Sequence, residues 1–378
     1  MIIKKLDIWH LRLGFQSLIK HNLAIHKGSD NLILRVTTDA AITGYGEGVP
    51  RTFVTGERLT DSLAFLQGVL APELLARKFH SPQALVVALE DLFQQTQGGS
   101  CPAAFCALET ALLDAAGKTW ETPVSDLIGP KQRTSLVYSA VIPMLAQEQL
   151  SQMFQLIKVN HMKFVKIKVG MDTDLENLRM ARELLGPDVE IRVDANSAWG
   201  PDEAIARLKA MEPYQISAVE QPVNKADFNG LKQVQDAIRI PVIADESLCS
   251  EEDARRLIEL KACRIFNIRL SKCGGPGAAT RIRRISEKAG ILCQIGCQVG
   301  ETSILSAAGR HFALTVPRLS YVEGSFSPFL LVRDVVAQPV IFNKGGVAYE
   351  LPGPGLGVEV LEDALEELAV SHHQEAIH

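Results

Sequence analysis

Charged residues close five apolar segments at nearly constant intervals through the middle of the chain. The first segment, residues 164–169, carries two lysines, and the next four end at Asp194, Glu220, Asp245 and Lys272. Counted from Lys168, the steps are 26, 26, 25 and 27 residues. A strand and its return helix take about that length, and parallel neighbours need such a crossover. The spacing therefore predicts parallel strands whose charged ends meet at one mouth, where α/β barrels keep their chemistry.

The alternation of apolar and amphipathic segments extends beyond these five. We predict strands near residues 136–141, 164–169, 190–194, 217–220, 241–244, 264–268, 291–295 and 319–322. Eight strands with intervening helices in about 190 residues fit a closed α/β barrel. An open doubly wound sheet is the main alternative, but no GxGxxG fingerprint follows a strand.

The two ends of the chain lack this alternation. Residues 1–125 predict an α+β domain, with strands near residues 3–11, 32–37 and 44–47 and helices near 57–70, 82–95 and 102–119. Residues 126–334 would form the barrel. Residues 335–378 are expected to return to the first domain, and His372, His373 and His378 to form a frayed terminus.

The composition limits the classes of binding partner that the chain can have. There are 39 Lys and Arg against 44 Asp and Glu, a net charge of −5 without a long run of one sign. This argues against nucleic acid or an anionic membrane, since both need a basic patch. The sequence has no apolar run of roughly 20 residues and no recognisable signal peptide. Seven cysteines without a CxxC pair predict reduced thiols and a cytoplasmic location.

Three carboxylates from successive strands are candidate metal ligands. Asp194, Glu220 and Asp245 offer only oxygen, which suits Mg²⁺, with Mn²⁺ as a substitute. Zinc is disfavoured because no histidine or cysteine joins the set. Any one of these carboxylates alone could simply cap the following helix, but three in register between lysines favour a metal site.

The lysines are candidate acid–base groups. Lys166 and Lys168 are two residues apart, so both leave the same face of a strand. Like charge and desolvation are expected to lower their pKa toward a useful range. Lys272 reaches the mouth from the other side. We expect Lys168 or Lys272 to remove the α-proton of a metal-bound carboxylate, while Lys166 and the metal stabilise the enediolate.

The set resembles the enolase superfamily, and more narrowly its muconate lactonizing subgroup. The matching motifs are Lys166-Ile-Lys168, Asp194-Ala-Asn196, Glu220-Gln-Pro222, Ala244-Asp-Glu246-Ser and Lys272-Cys-Gly-Gly275. The resemblance implies a modified TIM barrel, (β/α)₇β, with an N-terminal α+β capping domain completed by the C-terminal tail. It also implies an Mg²⁺ requirement, the lysine pair and, by analogy, a homo-oligomer.

Departures from the family pattern bear on the substrate. The seventh strand carries no histidine, which disfavours the mandelate racemase subgroup. Dipeptide epimerases of the muconate lactonizing group typically carry Asp-x-Asp near the eighth strand, where this chain has Glu323 instead. Glu323 alone is left to bind an ammonium group, and residues 321–331 resemble the muconate cycloisomerases. Asn196, Glu246 and Glu301 are expected to contact the substrate or to tune the ligands.

Two loops of the first domain are expected to close the mouth. Residues 14–28 contain His21 and His26, which we expect at the loop surface. Residues 50–56 contain Arg51, a candidate for binding a second carboxylate, and Phe53, a candidate for an apolar group. Arg51 and Phe53 could instead serve only to pack the lid against its neighbours.

Three functions fit these features. The first is a Mg²⁺-dependent isomerase of a small carboxylic acid, either a racemase or epimerase or a muconate-type cycloisomerase. The second is a dehydratase, similar to the o-succinylbenzoate synthases, which eliminates water with the same lysines. The third is a barrel that binds an acid without turnover, which the complete set of lysines and carboxylates disfavours.

Overall fold

The computed structural model describes residues 1–377, apart from the side chains of His21, Ala24 and His26. The predictions for His21, His26 and His378 therefore fall outside what it describes. Its strands are β1 (Ile3–His21), β2 (Ala24–Thr38), β3 (Thr43–Gly48), β4 (Ser135–Val137), β5 (Ala140–Ile142), β6 (Phe164–Lys168), β7 (Glu190–Asp194), β8 (Ile216–Glu220), β9 (Val242–Ala244), β10 (Ile265–Ile268), β11 (Leu292–Ile295), β12 (Leu319–Val322), β13 (Val347–Tyr349) and β14 (Ala369–Ala376).

Helices fill the intervals between the strands. They are α1 (Thr52–Thr55), α2 (Leu59–Phe65), α3 (Ala71–Leu74), α4 (Pro82–Gln95), α5 (Pro102–Thr119), α6 (Val124–Ile128), α7 (Gln147–Val159), α8 (Asp174–Leu185), α9 (Pro201–Met211), α10 (Phe228–Ala237), α11 (Glu251–Leu260), α12 (Leu270–Cys273), α13 (Gly275–Ala289), α14 (Ser303–Leu314), α15 (Ser327–Leu330) and α16 (Glu362–Leu368). Within residues 1–377 no helix is both long and apolar enough to cross a membrane.

The first domain is an antiparallel sheet, ordered β14-β1-β2-β3, packed against α5. Three glycines of β3 allow the sheet to touch the helix backbone. A Cβ added at Gly46 would lie 1.9 Å from the carbonyl oxygen of Ala107, and one added at Gly44 or Gly48 would lie 2.2 or 2.0 Å from a carbonyl oxygen of α5. The helix predicted near residues 102–119 is α5, and its alanines therefore pack at backbone distance against this sheet.

The C-terminal tail completes that sheet, as predicted. Strand β14 pairs antiparallel with β1, which places His373 opposite Ile8 and His372 opposite Trp9. The His372 ring stacks on Trp9 with centroids 4.3 Å apart. The prediction of a frayed terminus was wrong for these two histidines, because alternating residues 369–376 supply a strand that the exposed edge of β1 can bind.

The second domain is the predicted barrel of parallel strands, in the order β5 to β12. The ends of this sheet meet, since Tyr138 forms a parallel bridge with Val322 and the Ser139 amide donates to the Val322 carbonyl at 2.8 Å. This closure distinguishes the fold from an open doubly wound sheet. The strand nearest residues 136–141 is split into β4 and β5, because β4 pairs with β13 of the tail instead.

The segment predicted as a lid loop, residues 14–28, is instead a β-hairpin. After an irregularity beyond Gly14, strands β1 and β2 continue to pair up to His21 and Ala24. At its tip, Asn22 donates to the carbonyl oxygens of Val169 at 2.7 Å and Ala195 at 2.6 Å. The hairpin therefore covers the mouth and rests on the ends of two barrel strands.

Candidate active site

The carboxyl ends of β6, β7 and β8 bring the predicted groups together. Lys168 is in register with Asp194, and Asp194 is in register with Glu220. Asp245 follows β9 directly, and Lys272 lies in the short helix α12 after β10. All except Lys168 are almost fully buried. The constant spacing in the sequence thus corresponds to neighbouring positions around one mouth.

Lys166 lies at the centre of this group. Its Nζ is 3.2 Å from Asp194 Oδ2, 3.1 Å from Glu220 Oε1 and 2.8 Å from Glu323 Oε2. Burial lowers the pKa of Lys166, but the three carboxylates outweigh burial and raise it above the usual lysine range. The prediction of a lowered pKa was wrong for Lys166. The charged groups nearest to its ammonium group are carboxylates, and Lys168 is not among them.

Lys168 is the most exposed of the three lysines. Its Nζ donates to Asp194 Oδ2 at 2.6 Å and to Asn196 Oδ1 at 2.5 Å, and its side chain is 13% exposed. Asn196 also donates from its amide nitrogen to Glu246 at 3.0 Å. Asn196 therefore holds the lysine and connects it to a second carboxyl group.

Lys272 lies across the mouth and has no exposed surface. Its Nζ donates to the Asp245 carbonyl at 2.5 Å, to Asp245 Oδ1 at 2.9 Å and to the Asn267 carbonyl at 3.0 Å. Burial lowers its pKa, but Asp245 more than compensates and the net shift is upward. Lys272 lines a second cavity, of about 480 Å³, which it shares with Glu246 and Ser247.

Neutral donors hold Glu220. Asn267 and Gln294 donate to its two oxygens at 3.0 and 2.7 Å. Burial, together with Asp194, Glu323 and Asp245, raises the pKa of Glu220 to about 8, although Lys166 opposes the shift. Neither amide was predicted from the sequence. Strand alternation was the available signal, since residues two apart share a face.

A buried ion pair supports Glu323 from below. Arg192, which was not predicted from the sequence either, donates to Glu323 Oε1, and its other terminal nitrogen donates to Ser139 at 3.0 Å. Its guanidinium lies 4.3 Å from the centre of the Tyr321 ring. Lys166 and Arg192 overcome burial and lower the pKa of Glu323. Arg192 is two residues before Asp194, so alternation could have placed it in the barrel interior.

The acidic groups fit a hard divalent cation. Glu246 Oε2 is buried without a hydrogen-bond partner. Burial, with Asp245 and Asp194 nearby, raises the pKa of Glu246 to about 7. A cation with oxygen ligands would relieve this concentration of carboxylates. As the side chains stand, residues 1–377 contain no group of three acidic, histidine or cysteine residues gathered around one point, because lysines and Arg269 lie between the carboxylates.

A cavity of about 280 Å³ opens above Lys166 and Lys168. Most of the other residues named from the sequence line it, namely Arg51, Phe53, Asn196, Glu246, Glu301 and Glu323. Burial raises the pKa of Glu301 to about 8, although it accepts hydrogen bonds from the Gln298 amide and the Ser306 hydroxyl. The lid residues and the charged mouth therefore share one space, which Asp194, Glu220 and Asp245 underlie.

Two family models match the chain. Residues 19–129 match "Mandelate racemase / muconate lactonizing enzyme, N-terminal domain", and residues 145–364 match "Enolase C-terminal domain-like". The two matches correspond broadly to the antiparallel sheet domain and to the barrel.

Similar proteins span several reactions. N-succinyl-L-Arg/Lys racemase of Bacillus cereus is 30% identical and aligns over 98% of both chains. Muconate cycloisomerase 1 of Pseudomonas putida is 28% identical, over 92% of this chain and 93% of its own. The solved dipeptide epimerase of Cytophaga hutchinsonii, in complex with Mg and D-Ala-L-Val, has a TM-score of 0.88 at 27% identity and covers 99% of this chain and all of its own.

Proposed function

The chain belongs to the mandelate racemase / muconate lactonizing enzyme family and is an isomerase of the enolase superfamily, and we propose that it moves the α-proton of a small carboxylic acid in an Mg²⁺-dependent reaction. One observation carries the proposal. Lys168 and Lys272 flank the carboxylate cluster from opposite sides, the first on Asp194 and the second on Asp245. A substrate carbon between them would present each face to one amine.

The two lysines have different surroundings, which suggests different tasks. Lys168 meets the cavity and, among the described residues, is held by Asp194 and Asn196, so it can turn toward a substrate. Lys272 is held by three acceptors and is fully buried. In a racemase or epimerase, one lysine removes the proton and the other delivers one to the opposite face. In a cycloisomerase, one lysine is enough for proton transfer and the other stabilises charge.

Lys166 is suited to stabilise charge rather than to transfer a proton. It is buried, and three carboxylates keep it protonated. When the α-proton leaves, negative charge accumulates on the substrate carboxyl group, and a fixed ammonium group beside it lowers the cost.

Asp194, Glu220 and Asp245 would hold Mg²⁺, with Glu246 adjacent. The ion would supply positive charge to the substrate carboxylate and would offset carboxylate charge around the lysines, so that their pKa falls. The structure of the Cytophaga hutchinsonii relative with Mg and a dipeptide supports this choice of ion.

Isotope exchange tests the proposal directly. The protein is incubated with Mg²⁺ in D₂O and with N-acyl amino acids, dipeptides or muconates, and the products are analysed by mass spectrometry and chiral chromatography. Deuterium at the α-carbon with inversion indicates a racemase or epimerase, and a lactone from a muconate indicates a cycloisomerase. The absence of exchange and of product across all three classes, from a protein shown to bind Mg²⁺, would contradict the proposal.

A further inference from the structure

The outer part of the active-site cavity is apolar. Beyond the lysines it is lined by side chains of the hairpin, of β5 and the loop after it, of α7 and of the segment after β12, which include Leu18, Val141, Pro143, Met153, Phe326 and Phe329. Phe329 is 65% exposed, which is unusual for a large aromatic side chain and leaves its ring available to a ligand. The body of a ligand bound here is therefore expected to be apolar.

The acidic groups of this cavity are poorly suited to bind an ammonium group. Both oxygens of Glu323 are already paired, with Arg192 and Lys166. Glu301 is buried, and its pKa near 8 leaves it largely protonated at neutral pH. Glu246 belongs to the inner carboxylate cluster. The role considered for Glu323, binding of an ammonium group, is therefore not supported by its contacts.

Arg51 has the opposite character. Its guanidinium lines the cavity, and its three hydrogen bonds go to neutral acceptors, which are the carbonyls of Pro50 at 3.2 Å and Val299 at 2.7 Å and the Ser29 hydroxyl at 2.7 Å. A guanidinium has five N–H groups, so two have no hydrogen-bond partner among the described residues. Within the described chain, no carboxylate lies within ion-pair distance of Arg51.

A half-buried cation without a contacting counter-ion is costly. Burial lowers the pKa of Arg51 to about 10, and the more distant carboxylates of Asp30 and Glu47 offset only part of that effect. An anionic group on a ligand would supply the missing partner. A guanidinium can bind a carboxylate through two parallel hydrogen bonds, which adds orientation to affinity.

We propose, on the basis of the function proposed above, that Arg51 binds a second anionic group and that the substrate is a diacid with an apolar body. One carboxylate would lie beside Lys166 and Lys168, and the other would reach Arg51. N-succinyl derivatives of apolar amino acids and unsaturated diacids of the muconate type share this chemistry. Arg51 would then determine specificity, without touching the reacting carbon.

The test compares two substrates that differ only in distal charge. N-succinyl-leucine is compared with its neutral amide, in which the distal carboxylate is CONH₂, and cis,cis-muconate represents the second source of diacid. Binding in the presence of Mg²⁺ is measured by calorimetry, and α-proton exchange is measured separately. The wild type is expected to bind one of the diacids at least 10-fold more tightly than the neutral amide.

The variants are Arg51→Met and Arg51→Lys, with Arg58→Met as control. Arg58 is an exposed arginine paired with Asp61 outside the cavity. Arg51→Met should weaken diacid binding by roughly 10- to 100-fold, which corresponds to one charged hydrogen-bonded contact, and should leave the neutral amide unchanged. Arg51→Lys should restore part of the affinity, and Arg58→Met should change neither ligand.

The outcomes separate the two proposals. Equal losses for the diacid and the amide in Arg51→Met would mean that Arg51 only tethers the lid to Val299, and the inference would fail. Equal binding of diacids and amide by the wild type would also overturn it. Exchange of the amide with no preference for a diacid would preserve the proposed function alone. Selective diacid binding without exchange or lactone formation would preserve the site and contradict the function.

Discussion

The contact between β3 and α5 and the charged cluster under the mouth of the barrel are both buried, yet they consist of opposite kinds of residue. In the first, three glycines meet a helix lined with alanine at backbone distance. The second consists of buried ion pairs, which join Lys166 to Asp194 and Glu220 and Lys272 to Asp245. Close packing stabilises the first region directly. Buried charges rarely stabilise a fold better than apolar residues would, so the second region is better explained by chemistry than by stability.

This contrast predicts that substitutions in the two regions have different effects on activity and on stability. Changes at the mouth that keep neighbouring charges paired should remove activity and spare the fold. Changes that leave a charge unpaired, or that force two backbones apart, should reduce the free energy of unfolding. The substitutions below test that separation, and they run from the largest expected effect to the smallest.

The largest effect is expected from the lysines on opposite sides of the mouth. Lys168→Ala should reduce α-proton exchange by roughly 10²- to 10⁴-fold, because acid–base catalysis by a positioned group contributes about that much. Lys272→Ala should do the same if both faces of the substrate are used. Exchange in D₂O from each enantiomer, measured for each variant, assigns the lysines to faces.

The matched control for these two variants is Lys232→Ala. Lys232 is an exposed lysine paired with Asp236 on α10, and it lines neither of the two cavities described above. It should retain full exchange, and all three variants should show cooperative unfolding. Wild-type exchange by Lys168→Ala would remove that lysine from the proposed mechanism.

The next effect concerns the buried pair under Glu323. Among the described residues, Arg192→Met leaves Lys166 as the one cation in hydrogen-bond contact with the Glu323 carboxylate, and it should cost about 3–5 kcal/mol of unfolding free energy. The double variant Arg192→Met with Glu323→Gln removes both charges and should recover part of that loss. Urea unfolding of the two single variants and the double variant gives the coupling energy. A loss below about 1 kcal/mol in Arg192→Met would show that the pair is not important for stability.

The stability of the fold is expected to depend on pH through a carboxyl group at the contact between the two domains. Glu109 on α5 accepts from the Gly277 amide of α13 at 3.1 and 3.0 Å, so a carboxyl group of one domain caps a helix of the other. Burial raises the pKa of Glu109 from an ordinary 4.5 to about 7. Between these values the unfolded chain has lost a proton that the folded chain keeps, so stability falls as pH rises through this window.

Glu109→Gln should remove that slope. Relative to the wild type, the free energy of unfolding of the variant should rise by up to about 3 kcal/mol between pH 4.5 and pH 7.5, a figure that follows from the size of the pKa shift. Glu212→Gln, at an exposed glutamate, is the control and should show no such gain. Urea unfolding at several pH values measures the difference. A difference that does not change with pH would mean that Glu109 titrates in the folded protein as it does in the unfolded chain.

Much of the barrel could be predicted because its signals are local. Strand length, the return helix and a charged residue at each strand end recur at a fixed interval, so Asp194, Glu220 and Asp245 could be placed without coordinates. The partners of these groups could not be placed with equal certainty. Arg192 and Asn267 had a usable signal in strand alternation, but which carboxylate each would meet depends on barrel closure.

Long-range contacts account for the remaining errors. His372 forms part of a strand only because the edge of β1 is available, more than 350 residues earlier. Asn22 acquires a role only when the hairpin tip reaches the Val169 carbonyl. The predicted direction of the Lys166 pKa shift was wrong for the same reason, since the nearest carboxylates lie on or directly after three other strands.

The smallest effect tests the packed region itself. Gly46→Ala would place a Cβ 1.9 Å from the Ala107 carbonyl oxygen, which belongs to backbone and cannot rotate away. Overpacking of this kind typically costs about 1–3 kcal/mol. Gly309→Ala is the matched control, because a Cβ there meets nothing within 4 Å on helix α14 and should stabilise by up to about 1 kcal/mol. If Gly46→Ala instead lowers exchange without lowering the free energy of unfolding, the two regions are coupled, and the sheet positions the lid as well as the core.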